Sequence, residues 1–321
     1  MADPTEDRTT TTEQVRRPVK SSTVIVVAVF ARLSTPRREI RMLRFHLTAE
    51  DPTRLRLAGG PHPFWEISFS LHLLQTREAP ILFDPWRHAV RRALTRAGLG
   101  PSMAALTGLF PAEGYWPDFL SPTNEVVDLG TGLDQVLSTP RTTLRHQMRL
   151  MAQLNGTVPQ DASDIANGDV ATLKRLGDLL YRYHRIALAP YTGQLHDAFT
   201  TERGRRADAV LNGGIEGLLA SYPRHHLHWH NGRLAMPSAF DFDFRPDGRP
   251  LTLQPSVFCA RQPTATADPV NPLIVAYPAP PPLGWLPHPP GQDALPSSNH
   301  APWHDSSATH GQPRSKPPTI P

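Results

Sequence analysis

The sequence predicts an α+β protein: an N-terminal strand and helical bundle, then antiparallel β-hairpins, between disordered termini. Three observations carry this expectation. Apolar residues recur at helical spacing through much of residues 48–222. From His225 the pattern turns to period two, with Asn-Gly and Asp-Gly pairs between the alternating runs. Both ends lack a periodic apolar face.

Composition sets the outer bounds. The 321 residues suffice for about two domains, and 39% hydrophobic content suffices for a core. The 36 prolines exceed what one compact domain holds, so part of the chain is expected to be irregular. A single cysteine, Cys259, excludes a disulfide scaffold and a zinc site built from several thiolates. Lys20, Lys174 and Lys316 are the only lysines against 30 arginines, which reads as GC-rich coding. The formal charge of +4 shrinks to +1 over residues 42–277, so no strongly basic nucleic-acid domain stands out in the totals. A soluble, cytoplasmic protein is expected, with no membrane partner and no cofactor.

Residues 1–41 read as a disordered extension, or as upstream sequence before a true start at Met42. The apolar run Val24 to Phe30 is too short to span a bilayer, which needs about 20 residues. Three basic residues precede it as in a signal peptide, but no small-residue cleavage site follows. Leu43, Phe45 and Leu47 alternate with Arg44 and His46, which predicts a strand. Thr48 followed by Glu50 and Asp51 signals a helix start. Phe64, Ile67, Leu71 and Leu74 predict a helix over 62–76. Asp84-Pro85 predicts the cap of the next, ending near Gly98, with Arg87, Arg91, Arg92 and Arg96 on a solvated face. The aromatic loop Gly114 to Leu120 fits the edge of a core or the wall of a pocket. Helices follow over about 130–138, 141–154 and 169–188, the last striped by Leu173, Leu176, Leu179, Leu180 and Tyr183. Pro190 opens another, broken at Gly213-Gly214 and ending near Tyr222.

Two hairpins are then expected over residues 225–277. His226, His228 and His230 alternate with Leu227 and Trp229 before Asn231-Gly232. Phe240, Phe242 and Phe244 alternate with Asp241 and Asp243 before Asp247-Gly248, and Leu251, Leu253 and Val257 return. Leu273 to Tyr277 reads as a last strand. Residues 279–321 contain no valine, phenylalanine, tyrosine, methionine or glutamate, which predicts a disordered proline-rich tail.

Three constellations carry candidate chemistry. Histidines 226, 228 and 230, sharing one strand face near Asp241 and Asp243, suit a divalent metal and with it a metal-dependent enzyme. The plain alternative is the polar face of a hairpin, so no metal site is assigned and no catalytic residue named. On a predicted helix, Tyr181 and His184, with Trp116 from the aromatic loop, form a candidate ligand pocket. Residues 133–148 resemble a turn leading into a recognition helix, with Arg141, Arg145 and His146 as candidate DNA contacts. Thr139-Pro140 is equally an ordinary helix start, and the usual glycine of such a turn is missing.

The segments Met42 to Asp51, Gly114 to Leu120 and Leu253 to Cys259, with Ala267-Asp268-Pro269 and Leu273 to Pro278, occur in an order that resembles the long N-terminal region of ArsR-like winged-helix transcriptional regulators of high-GC bacteria. The resemblance spans residues 42–278. It implies an effector-sensing or dimerisation region, a homodimer, a small-molecule effector and no enzymatic activity. It also implies DNA as partner when a C-terminal winged helix is present. Here the proline-rich tail stands where that winged helix would follow, which points to a frameshift or truncation. The family's thiolate metal box needs closely spaced cysteines, which Cys259 alone does not supply.

Overall fold

β1 (Met42–His46) realises the first alternation: Leu43 and Phe45 are buried, while Arg44 and His46 face out. The computed structural model describes residues 41–48, 51–122, 128–238, 241–266 and 272–286. The expectations for residues 1–40 and for the tail beyond Leu286 lie outside the described residues, as do Ala49, Glu50, Phe240 and Ala267 to Pro269. After β1 come a 3₁₀ turn (Asp51–Arg54) and the short strand β2 (Leu55–Leu57), where a helix was expected.

The helical layer is built around α1 (Pro63–Gln75), which is buried from Phe64 to Leu74 without a break. A helix apolar on most sides belongs in a core. Its two serines are matched: the Ser70 hydroxyl lies 2.9 Å from that of Tyr183, and the Ser68 hydroxyl lies 3.1 Å from that of Ser121. α2 runs Pro80–Arg96. It begins at Pro80, after Ala79 in the left-handed region (φ 43°), and continues through Pro85. The expected start at Asp84-Pro85 is therefore a turn late. Pro80 stands in the first helical turn, where a missing N–H costs nothing, and sets the start, whereas Pro85 lies inside the helix.

α3 (Met103–Leu109), α4 (Leu129–Leu137), α5 (Arg141–Asn155), α6 (Ala162–Asn167) and α7 (Val170–Ala187) complete the bundle. α4 and α7 start under side-chain caps, Asp128 accepting from the Thr131 N–H at 2.9 Å and Asp169 from the Thr172 N–H at 2.8 Å. α6 was not expected; at six residues it is too short to show a period. α8 (Thr192–Ala220) bends at Gly214, whose φ of 60° only glycine adopts freely.

Among the described residues two four-stranded sheets close the fold. The first has the order β3 (His228–His230), β4 (Arg233–Pro237), β1, β5 (Phe242–Phe244). β3 and β4 form the expected hairpin, with Asn231 (φ 47°) and Gly232 (φ 73°) in the turn that such a pair favours. The second has the order β2, β6 (Leu251–Ser256), β8 (Leu273–Pro278), β7 (Thr264–Ala265). The second expected hairpin does not form. β5 pairs in parallel with β1, and β6 lies parallel to both β2 and β8. The Asp247-Gly248 turn passes the chain from one sheet to the other. Alternation reports which face of a strand is buried, not which strand it joins.

β8 shows why its sequence is continuously apolar. Ile274 and Ala276 enter the core of the helical layer, whereas Leu273, Val275 and Tyr277 enter a second core with Leu43, Phe45, Leu234 and the end of α8. A parallel strand covered on both faces reads this way. The ordered chain does not stop at Pro278. The Ala279 N–H donates to the Ser256 carbonyl at 3.0 Å. The Trp285 indole donates to the Leu82 carbonyl at 2.9 Å and packs on Phe83, Phe258 and Tyr191. Residues 279–286 thus belong to the body, contrary to the expected boundary.

Candidate functional site

α5 follows α4 after the turn Ser138–Pro140, and its apolar stripe (Leu144, Met148, Met151) is buried. Buried Gln147 accepts from the Phe119 N–H at 2.8 Å, which fixes the helix against the aromatic loop. The opposite face holds Arg141, Arg145, His146 and Arg149, all exposed, and α5 carries no acidic residue. The spacing of four puts the three arginines on one stripe. The predicted DNA-contact residues Arg141, Arg145 and His146 are therefore together and facing water. Arg141 also donates to Asn167 Oδ1 at 3.2 Å, and its stem lies over Gly168, the left-handed cap of α6 (φ 69°).

On the far side of α6 lies a cavity of about 810 Å³ between α3, α6 and α7. Its floor is apolar, with Leu109, Ile165, Leu176 and Leu179. Its rim holds Lys174, Arg175 and Arg182 against Asp161 and Asp178. Arg175 donates to the Thr172 hydroxyl at 2.8 Å, and Arg182 faces Asp178 at 3.9 Å. The volume is that of a typical small-molecule site, about 300–1,000 Å³. Sequence reasoning missed it. Lys174 and Arg175 look like any solvated pair on a helix, and the cavity depends on the spacing of helices far apart in sequence.

The predicted pocket residues do not line it. Trp116 is a core residue, edge-on to Trp65 and Phe69, with its indole N–H 3.3 Å from the Ser121 hydroxyl. The aromatic loop is thus a plug. Tyr181 is exposed on α7. His184, one turn on, has its pKa lowered by burial and then by Arg185. Only His228 and His230 occupy β3, their rings stacked 6.2 Å apart. His226 precedes the strand in a turn, its N–H bonded to Pro223, so the three-histidine face does not form. Burial, with His225 beside it, lowers the His226 pKa to about 4. Asp241 and Asp243 are engaged by Arg44 at 3.1 Å and His46 at 2.6 Å on β1. Among the described residues no group of three or more His, Cys, Asp or Glu side chains is placed to hold a metal ion. No described helix is long and apolar enough to cross a membrane.

Two more polar sites are structural. Arg87, expected on a solvated face, is buried and donates to the carbonyls of Leu73 (2.7 Å) and Glu78 while pairing with Asp84 at 2.6 Å. Arg91 donates to the Leu74 carbonyl at 2.6 Å. Together they satisfy carbonyls that the end of α1 leaves open. Arg91, Arg92 and Arg96 are exposed, as expected. Buried Glu66 accepts from the Ser256 hydroxyl (3.0 Å) and the N–H groups of Val257 (3.0 Å) and Phe258 (3.1 Å), tying α1 to the end of β6. Burial pushes the Cys259 thiol well up, reinforced by Glu66 and Glu78, so it is not a reactive thiolate. A smaller cavity of about 480 Å³ opens beside Glu78, Glu113 and Arg261. Burial opposes the charge on Glu78, yet His72 and Arg261, the latter 3.0 Å away, hold its carboxyl below the usual range.

No family model, no curated protein and no solved structure matches this chain.

Proposed function

We propose that this chain is the effector-sensing and dimerisation region of a cytoplasmic, ArsR-like transcriptional regulator that itself touches DNA only weakly. The observation that carries the reading is the shared helix α6. Its cavity side presents Asp161 and Ile165, and its far end holds Arg141 of the basic helix through Asn167. A molecule in the cavity therefore presses on the element that positions the DNA-facing surface. An effector works when it favours one arrangement of such an element over another. The near-neutral body argues for weak contact, and a longer form with a winged helix would supply the reading head. Assembly as a homodimer belongs to the same proposal, and equilibrium sedimentation measures it.

Fluorescence anisotropy with a short labelled duplex tests the DNA side. The expected dissociation constant is in the range of about 10⁻⁴–10⁻⁶ M at physiological salt, with little preference for sequence. Arg141→Ala with Arg145→Ala should reduce the salt slope by about two and leave the protein folded, the exposed Arg141–Asn167 bond costing about 1 kcal/mol at most. Nanomolar promoter binding that survives excess unrelated DNA, and is lost in that folded double variant, would make this chain the reader and overturn the proposal.

A further inference from the structure

The cavity between α3, α6 and α7 also carries information about what enters it. Its floor is made by the core residues Leu109, Ile165 and Leu176, with half-buried Leu179 at the side. Such a surface takes an apolar body of several carbons, each buried methylene contributing about 0.8 kcal/mol. The rim adds a sign. Three cations stand against two carboxylates, and they are not evenly matched. Asp178 is committed to Arg182, one turn along the same helix. Arg175 spends one donor on the neutral Thr172 hydroxyl. Among the described residues neither Lys174 nor Arg175 makes an ion pair within 4.0 Å. Asp161 is the one rim carboxylate outside the Arg182 pair, so the lining carries one more cation than carboxylates, with Asp169 acting on Arg175 from outside it.

We propose that this cavity binds a small amphipathic carboxylate, its apolar body on Leu109, Ile165 and Leu179 and its carboxylate against Lys174 and Arg175. The guanidinium of Arg175 offers a planar fork that accepts both carboxylate oxygens, and Lys174 adds a point charge beside it. An ammonium head would meet two cations and one free carboxylate. A neutral alcohol would supply neither cation with a counter-charge. The inference rests on the sensing reading above for its biological meaning, but its chemistry comes from the cavity alone.

Isothermal titration of the full chain with sodium decanoate, decanol and decyltrimethylammonium, each below its micelle concentration, tests the proposal. Wild type should bind one decanoate, at least about tenfold more tightly than either of the others, as a charge-assisted hydrogen bond provides. The charge-reversed variant, Lys174→Glu with Arg175→Glu, should lose decanoate and gain decyltrimethylammonium. That exchange of preference cannot arise from misfolding, and circular dichroism confirms the helices. Decanol or decyltrimethylammonium binding wild type as well as decanoate would overturn the anion assignment while leaving the cavity a ligand site. Decanoate binding unchanged in the charge-reversed variant would overturn the location. No binding of any of the three at millimolar concentration would overturn both this inference and sensing through this cavity. Decanoate binding as described, with DNA anisotropy unmoved, would uphold the ligand class and sink the sensing reading alone.

Discussion

Glu66 faces the backbone that leaves β6 with both carboxylate oxygens, and its environment makes it pH-sensitive. Burial pushes its pKa from 4.5 to about 7, against the pull of the hydrogen bonds from Phe258, Val257 and Ser256. The folded chain therefore keeps a proton that the unfolded chain releases between these values. Stability falls as pH rises through that window. His62 acts in the opposite direction. Burial lowers its pKa from 6.5 to about 4, so stability is lost as pH falls through that range. The two trends oppose each other in wild type, and Glu66→Gln separates them. Between pH 4.5 and 7.5 wild type should lose about 3 kcal/mol relative to Glu66→Gln, read from urea midpoints at the two pH values. A constant difference would place the carboxylate in a more solvated setting. None of this was legible in the sequence. Glu66 lies in an apolar helix as one polar position, and its partners lie about 190 residues away.

At the scale of single elements, α8 offers a paired test. Gly213 and Gly214 look equivalent in sequence, and neither has anything within 4 Å of an added Cβ. Only Gly214 has a positive φ. Gly213→Ala should be neutral or stabilise by up to about 1 kcal/mol, through helix propensity and a less free unfolded chain. Gly214→Ala should cost about 1–3 kcal/mol, because φ 60° with ψ −154° is a conformation that glycine alone adopts readily. Thermal unfolding of the two variants measures the contrast, and equal shifts would remove the bend as an obligatory feature. Here the sequence reading placed the break correctly, because a glycine pair inside a helical period is a local signal. Local signals also located β1, α1, α4, α5, α7 and the β3–β4 hairpin. Reading failed where the deciding contact was remote. Asp84-Pro85 reads as a helix start, but the helix begins at Pro80, after the left-handed Ala79. Alternation in β5 named a buried face but not the partner, β1. The basic face of α5 was visible as spacing, whereas Lys174 and Arg175 acquire meaning only from α3 and α6 across the cavity.

For the whole molecule, Trp285 secures the end of the described chain. It is 7% exposed and fills the space between Phe83, Phe258 and Tyr191. Trp285→Ala should destabilise by about 3 kcal/mol, as removal of a core aromatic does. Limited proteolysis of wild type should leave a resistant fragment ending near Leu286, whereas the variant should be trimmed toward Pro278. A wild-type fragment already ending at Pro278 would release residues 279–286 from the core. The first sheet has a different consequence, one of timing. β1 opens the described chain yet sits between β4 and β5, and the Met42 N–H donates to Asp241, 199 residues later, at 3.2 Å. Pairing of such high contact order is slow, because the loop must close before the contact repays its entropy. The helices from α1 to α7 need no such wait. On a growing chain, Leu43 and Phe45 stay unpaired until almost the whole body has been synthesised. The first strand made is thus among the last to find its place, and until then it is the segment most in need of shelter.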